Sequence, residues 1–543
     1  YNKTFKEDWS VSATAGWVGH TIQGVSTSTY LGSASKPIIT NGVQTGISDR
    51  PNYFDPSGGW NGVTSKGKSS NWDKAALFTA QLGWKEMIYI DGSYRRDWYR
   101  VFKQFSYLGA SDNYGYFGFG ASAVLSQLFR LPEWFTYAKY RLSYSEVGNS
   151  IPNSVYNAVS TNTTTGGTTS SAYNSFYPIP EKTKSFETGL EMQFFHNALT
   201  ADVTYYNSAM HNSYLNIAGM NGKTQPVNSG LIRNQGVELS LGYNWTINKD
   251  WGWKTNINFS YNHNKIEKTY KDKYGYDKEM VQGLASGKVQ VNYSVGKAYG
   301  DLYVTDFARW RDDVYNTAGD LVHKAGDIYV NESGQVAING NQMYKTAAGN
   351  IRIDDEVSQT FGRYAGNLNS KYQLSWANTF RFKDFNLYFL INGRIGGKVI
   401  SLTEGYLDKM GVSKRTGDAR AYAEANNLKT ADGRLGMYIN EGRDLVAIED
   451  YYSVVGANDA SSYIYNATNF RLRELSLGYT FRNLLGEGKH LSLSVIGRNL
   501  FFIYKDSPVD PDVSVSTANG LGGIDMFNVP SERSFGVNLK LNF

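Results

Sequence analysis

Apolar and polar residues alternate one for one over much of this 543-residue chain, and a period of two is the mark of a β-strand with two unlike faces. Phe186, Leu190, Met192 and Phe194 interleave with Glu187, Gly189, Glu191 and Gln193. After "HNA" the pattern resumes, with Leu199, Ala201, Val203 and Tyr205 against Thr200, Asp202, Thr204 and Tyr206. Two such runs joined by a few turn residues make a β-hairpin. The same grammar recurs around "NKD" (Val237 to Ile247, then Trp253 to Tyr261), around Lys383 and Asp384, and around "NLLGEGKH". About fourteen strands can be read in this way, which predicts an all-β, antiparallel fold.

The connections fall into two kinds. Short turns ("WKE", "RLPEW", "HN", "NKD", "KD", "NLLGEGKH") alternate with long segments near 31–72, 148–180, 213–230, 267–370, 402–466 and 505–530. In an up-and-down meander every second connection lies on the same rim, so the short turns share one rim and the long loops share the other. Transmembrane β-barrels of the outer membrane have that asymmetry, with short periplasmic turns and long extracellular loops. Parity then brings the strand ending at Phe543 to the short-turn rim, and Tyr1 to the same rim if the first strand is roughly 9–24. Within 267–370, "GKAYGDLYVTDFARW" reads either as an extra strand or as a folded loop.

Composition narrows the class. Gly at 56, Tyr at 41, Pro at only 11 and aromatics at 15% favour strands and turns over helices or linkers. Lys plus Arg at 54 against Asp plus Glu at 49 leaves +5 with no long basic run, so nucleic-acid binding has no electrostatic support. The absence of Cys excludes disulfides and thiolate sites. A mean hydropathy of −0.44 and the lack of any apolar run of about 18 residues exclude a helical membrane span. Strands of about 9 to 11 residues can still cross a bilayer, because alternation hides them from hydropathy. The chain starts at Tyr1 with no basic n-region and no h-region, so any export signal has been removed or lies outside this sequence.

A soluble β-sandwich shares the alternation. Against it stand runs of about 12 to 16 residues where soluble strands average about 5 to 6, and the one-sided loop lengths. Tyr243, Trp245, Trp251, Trp253 and Tyr261 flank "NKD" as an aromatic girdle would. Glu187, Glu191, Asp202, Glu238 and Lys254 keep to the face opposite the apolar set, as a lipid-facing charge near the midplane would cost about 2 to 4 kcal/mol. The chain ends on "RSFGVNLKLNF", in which Phe535, Val537, Leu539, Leu541 and Phe543 share one face. A barrel leaves no unpaired edge, so this is expected to be the closing strand. Its terminal aromatic resembles the signal read by the outer-membrane assembly machinery.

Longer strings carry a family resemblance. "GSYRRDWYRVF", "YRLSYSEVGN", "PEKTKSFETGLEMQFF", "NSGLIRNQGVELSLGYNW", "GRIGGKV", "NFRLRELSLGYTF", "GRNLFFIYKDSPVDPDVS" and "PSERSFGVNLKLNF" follow one another across about 75–543. Together they resemble the SusC-like TonB-dependent transporters of Bacteroidetes. The resemblance implies a 22-stranded outer-membrane barrel closed by a plug, a SusD-like surface lipoprotein that captures ligand at the long-loop rim, and TonB pulling on the plug. It also implies import of oligosaccharides or oligopeptides. Some eight strands, the plug and the TonB-contacting segment have no counterpart here, so 1–543 reads as the C-terminal barrel portion of a longer transporter. A free-standing porin and a β-rich surface adhesin are the alternative readings.

No enzyme is expected. The six His residues (His20, His196, His211, His263, His323, His490) form no H-E-x-x-H pattern, no phosphate-binding loop occurs, and no cofactor is implied. "DSPVDPDVS" places Asp506, Asp510 and Asp512 together, and Asp510 and Asp512 are the candidates for a divalent cation, against a plain Pro-rigidified loop. Trp60, Trp72, Trp310, Tyr451 and Tyr452 fall in the long loops and offer either loop packing or stacking faces for sugars and peptides. Arg95, Asp97, Arg141, Glu187, Glu191 and Asp202 are expected to face the lumen, as its solvation or as plug contacts.

Overall fold

The computed structural model describes residues 2–5, 8–31, 37–40, 43–47, 62–103, 111–150, 179–218, 224–246, 248–271, 275, 280–283, 288–310, 312–331, 334–337, 342–345, 351–354, 363–484, 486–512 and 522–542. Fifteen strands form one antiparallel sheet in which neighbours in sequence are neighbours in space. They are β1 (Asn2–Phe5), β2 (Trp9–Leu31), β3 (Gly62–Trp84), β4 (Ile88–Tyr99), β5 (Asn113–Val124), β6 (Phe135–Asn149), β7 (Glu181–Phe194) and β8 (Leu199–Ala218), then β9 (Thr224–Thr246), β10 (Trp251–Lys268), β11 (Tyr372–Phe382), β12 (Phe385–Ile395), β13 (Asn469–Arg482), β14 (His490–Lys505) and β15 (Ser534–Asn542). Register follows the alternation. Leu199 pairs with Phe194, Ala201 with Met192 and Val203 with Leu190, so one face collects the apolar side chains of both strands.

The wall departs from expectation in three places. Strand pairing persists from Trp9↔Trp84 to Leu31↔Gly62, so the first long connection shrinks from 31–72 to 32–61 and Trp72 sits on β3 opposite Thr21. Because β4 joins only from Asp73↔Tyr99, the part of this hairpin beyond His20 is a two-stranded ribbon about 36 Å long at ~3.3 Å per residue. Likewise 213–230 is mostly strand, since β8 and β9 pair as far as Ala218↔Thr224. The first strand is preceded by β1, which pairs with the foot of β2 from Phe5↔Trp9 to Asn2↔Ser12.

The final strand, expected to close the barrel, has one neighbour among the described residues. Among the described residues β15 pairs with β14 alone and β1 with β2 alone, so the sheet has two open edges. Four side chains of the closing-strand motif stand out from β15, Phe535 being 75% and Leu541 41% exposed. Phe543, Trp60, Tyr1 and most of 148–180 lie outside the described residues.

The apolar face carries aromatics at two levels, which revises the girdle. Trp251 packs on Phe382 with ring centres 4.3 Å apart, and Trp253 stacks on Phe380 beside the "NKD" turn. Tyr261 is not at that turn. It stacks on Tyr372 at the other end of the same strand pair, 5.2 Å between ring centres. Ten residues of strand separate Trp251 from Tyr261, about 33 Å at ~3.3 Å each. A barrel strand tilted by about 35 to 45° would turn that into a height near 25 Å, the thickness of an outer-membrane apolar band.

The long loops of one rim fold against one another. The segment "GKAYGDLYVTDFARW" is a folded loop: Asp301–Val304 lies in a four-stranded sheet with Met280–Gly283, Val289–Tyr293 and Arg363–Asn367, apart from the wall. The 402–466 connection contains α1 (Leu402–Lys409), α2 (Lys414–Ala425) and α3 (Ile448–Asn458). Ser401 and Ser413 cap α1 and α2 by accepting hydrogen bonds from the N–H groups of Glu404 and Thr416. Val289, Val291, Leu302, Val304, Ile400 and Ile524, drawn from three different loops, are completely buried together. Ile400 pairs with Ile524 in a short parallel bridge, and Ser401 donates to Asp525 at 2.7 Å. Trp310, Tyr451 and Tyr452 are spent on this packing: Trp310 stacks on His323, and Tyr452 is 7% exposed.

Candidate functional site

Register fixes which polar side chains meet on the other face of the wall. Across β8 to β13 one row reads Thr204, Glu238, Ser260, Gln373, Arg394, Asn469, each paired with the next. The row beside it reads Asp202, Ser240, Asn258, Ser375, Asn392, Arg471. Both begin at or beside an acid, pass through amides and hydroxyls, and carry an arginine toward the far end, Arg394 in the first and Arg471 in the second. The rows line a concavity of about 520 Å³, so the polar face is the hollow one. Gln373 and Arg394 lie one residue inside the Tyr372↔Ile395 pair, which places the hollow at the loop-bearing end of the wall.

Arginines at the basic end are held by the last long loop. Arg471, with a side chain only 5% exposed, donates to Asp510 at 2.5 Å and lies over the Phe502 ring at 4.0 Å. Arg394 donates to Asp512 at 2.5 Å. Burial pushes the Asp510 carboxyl up, but the Ser531 hydroxyl, the Asp512 backbone N–H and the Arg471 guanidinium together hold it below the usual carboxylate range. Asp510 and Asp512, the candidates for a cation, thus have their charges matched by arginines. Among the described residues no group of three metal-ligating side chains occurs. Asp506 instead accepts the N–H of Asn466.

Arg95 donates through Nε and Nη2 to Asp97 Oδ1 at 3.0 and 2.9 Å, and the Tyr116 hydroxyl donates to Asp97 Oδ2 at 2.6 Å. Asp97 is 2% exposed and anchors β4 to β5. Arg141 reaches across β7 to Asp202 at 2.8 Å, tying β6 to β8. Glu187 and Glu191 lie in register with Ser143 and Lys139 on the same side as that pair. Sequence reading found the acidic side of this face and missed Arg394, Arg471 and Arg473. The alternation of "NFRLREL" was visible, but nothing local to it says that a distant loop returns two carboxylates to these arginines. Chemically, the two rows can hydrogen-bond a polar solute and neutralise charge at either end.

These features match a known family. A family profile described as "TonB dependent receptor-like, beta-barrel" matches residues 1–392. TonB-dependent receptor SusC of Bacteroides thetaiotaomicron is 26% identical over 381 residues, covering 67% of this chain and 32% of that protein. TonB-dependent receptor P3 of Formosa agariphila is 22% identical over 384 residues, covering 67% and 34% respectively. Among solved structures, the RagAB peptide importer in its "closed-closed" state shares the fold with a TM-score of 0.65 at 17% identity, covering 100% of this chain and 54% of that one. The chain therefore spans about a third of the length of these curated relatives and about half of the solved chain. With its aromatic-banded outer face, its hollow polar face and a profile match over most of its length, the chain belongs to the TonB-dependent receptor β-barrel family.

Proposed function

We propose that this chain is the C-terminal barrel portion of an outer-membrane active importer of oligosaccharides or oligopeptides. In this reading a SusD-like surface lipoprotein delivers ligand to the loop-bearing rim, and TonB acts through a plug carried elsewhere in the full protein. The observation that carries it is the two-row polar hollow at the mouth of the wall, backed by an apolar band and family membership. The two open edges, β1 and β15, support a wall that other strands complete. A peptide importer among the structural neighbours and SusC among the relatives fit nutrient import, and leave the choice between sugar and peptide open.

The testing experiment is the denatured mass of the native polypeptide extracted from outer membranes, together with its co-purifying chains. The expected result is a species near twice 60.6 kDa, or a tightly held N-terminal fragment, with a lipoprotein bound. A lone 60.6 kDa species that conducts ions in planar bilayers without a partner would replace this reading with a porin.

A further inference from the structure

Six charged side chains line the hollow, Asp202, Glu238 and Asp512 against Arg394, Arg471 and Arg473, and the three arginines gather at one end of the rows. Asp202 is matched by Arg141, Arg394 by Asp512 and Arg471 by Asp510. Arg473, which lines the same hollow, makes no ion pair or hydrogen bond among the described residues. The backbone singles out the same residue. Leu390 pairs with Glu474 while Ile391 pairs with Leu472, so Arg473 is the extra residue of a β-bulge between β12 and β13. On the other side, Leu472 pairs with Phe501 and Glu474 with Arg498, so that ladder is interrupted too. A bulge gives up regular pairing and re-aims a side chain. Here it adds a third arginine to a corner with two carboxylates.

We propose that this corner is a binding site for the carboxylate of a solute entering the barrel, with Arg473 supplying the uncommitted charge. Arg394 is the second contact. Its partner Asp512 shows how a carboxylate seats on that guanidinium, and with the pair 39% and 35% exposed an incoming carboxylate can exchange with it. Arg471 stays fixed by Asp510 and Phe502 and forms the wall of the corner. The neighbouring Asn258, Ser260, Gln373 and Ser375 offer hydrogen bonds without charge, which suits a ligand that is neutral and polar apart from its acid group. Guanidinium binds carboxylate through paired N–H donors, a geometry that lysine does not reproduce. A uronic-acid sugar and a peptide C-terminus carry the same group.

This assignment deepens the import reading and rests on it, so its test keeps the two apart. The full-length protein, purified from outer membranes with its co-purifying chains, is titrated calorimetrically with glucuronate against glucose, and with acetyl-trialanine acid against its amide. The acid of at least one pair should bind about tenfold or more tightly than its neutral counterpart. Arg473→Gln should abolish that preference, and Arg473→Lys should restore only part of it. Which acid is preferred distinguishes a sugar source from a peptide source. Equal binding of acid and neutral probes, or a preference that survives Arg473→Gln, would overturn the site. Retention of heat-modifiable mobility by the variants separates lost binding from lost folding. A site that passes in a protein of 60.6 kDa without partners would sink the import reading and leave the site standing.

Discussion

The wall and the loop layer use the same aliphatic and aromatic residues to opposite ends. In the wall, side chains such as Val495 and Leu477 are 56% and 55% exposed on an outward apolar face, and stability resides in continuous register. In the loop layer, Val289, Val304, Ile400 and Ile524 are fully buried against one another, and stability resides in close packing. Hydrophobic residues therefore say little about inside and outside until their solvent is known. A lipid-facing strand and a core strand differ in what surrounds them, not in what they contain.

Substitutions that act on only one of the two regions would sharpen this contrast, and the largest effect is expected in the loop layer. α1 and α3 touch through Gly405 and Gly456, and a Cβ added at Gly456 would lie 2.2 Å from the Gly405 carbonyl oxygen and 2.4 Å from the Lys409 nitrogen. Both are backbone atoms with little room to move, so Gly456→Ala should destabilise the layer by about 3 kcal/mol or more. Hydrogen exchange should rise across 402–466 while the wall strands keep their protection. Equal loosening of both regions would break the comparison.

Next comes the wall. Ile257 lies midway between the two aromatic levels on the outward face, and its neighbour Asn258 faces the hollow. Ile257→Arg should cost about 2 to 4 kcal/mol in bilayer unfolding, against about 1 kcal/mol or less for Asn258→Arg. Similar costs for the two would mean that the outward face is not in lipid.

A smaller effect should follow from acid. Because the folded pKa of Asp510 lies below its ordinary value, its tie to Arg471 contributes fully above about pH 4 and is lost as pH falls through the folded pKa. Protease cleavage near 506–512 should increase below about pH 4 while the wall still migrates as a folded barrel. Asp510→Asn should remove that pH dependence. The smallest effect belongs to an exposed ion pair on α2, Lys414 with Asp418, whose side chains are 88% and 66% exposed. Lys414→Ala should change stability by less than about 0.5 kcal/mol in denaturant titrations.

Much of the wall was legible because a period of two survives without context. Phe186 to Tyr205 displayed both its strands and their tight turn, and the pairing Leu199↔Phe194 follows from that pattern. Strand ends were less legible. Residues 20–31 and 62–73 are rich in Ser, Thr and Gly, so the alternation fades while backbone pairing continues. The acidic half of the hollow was read from the parity of Glu187, Glu191 and Asp202. The basic half was missed because its meaning depends on partners 39 residues away for Arg471 and 118 away for Arg394.

Sequence by itself determined the antiparallel meander, the segregation of its two faces and the rim that carries the long loops, all properties of neighbours along one chain. Tertiary structure decided that three loops share one core, that Tyr261 belongs to a second aromatic level, and that β1 and β15 leave open edges among the described residues. It also decided that Asp510 and Asp512 are spent on arginines while Arg473 is raised into the hollow by a bulge. The physical reason is range. Alternation is a local signal repeated every two residues, whereas burial, ion pairing and register shifts are set by segments that meet only after the chain has folded.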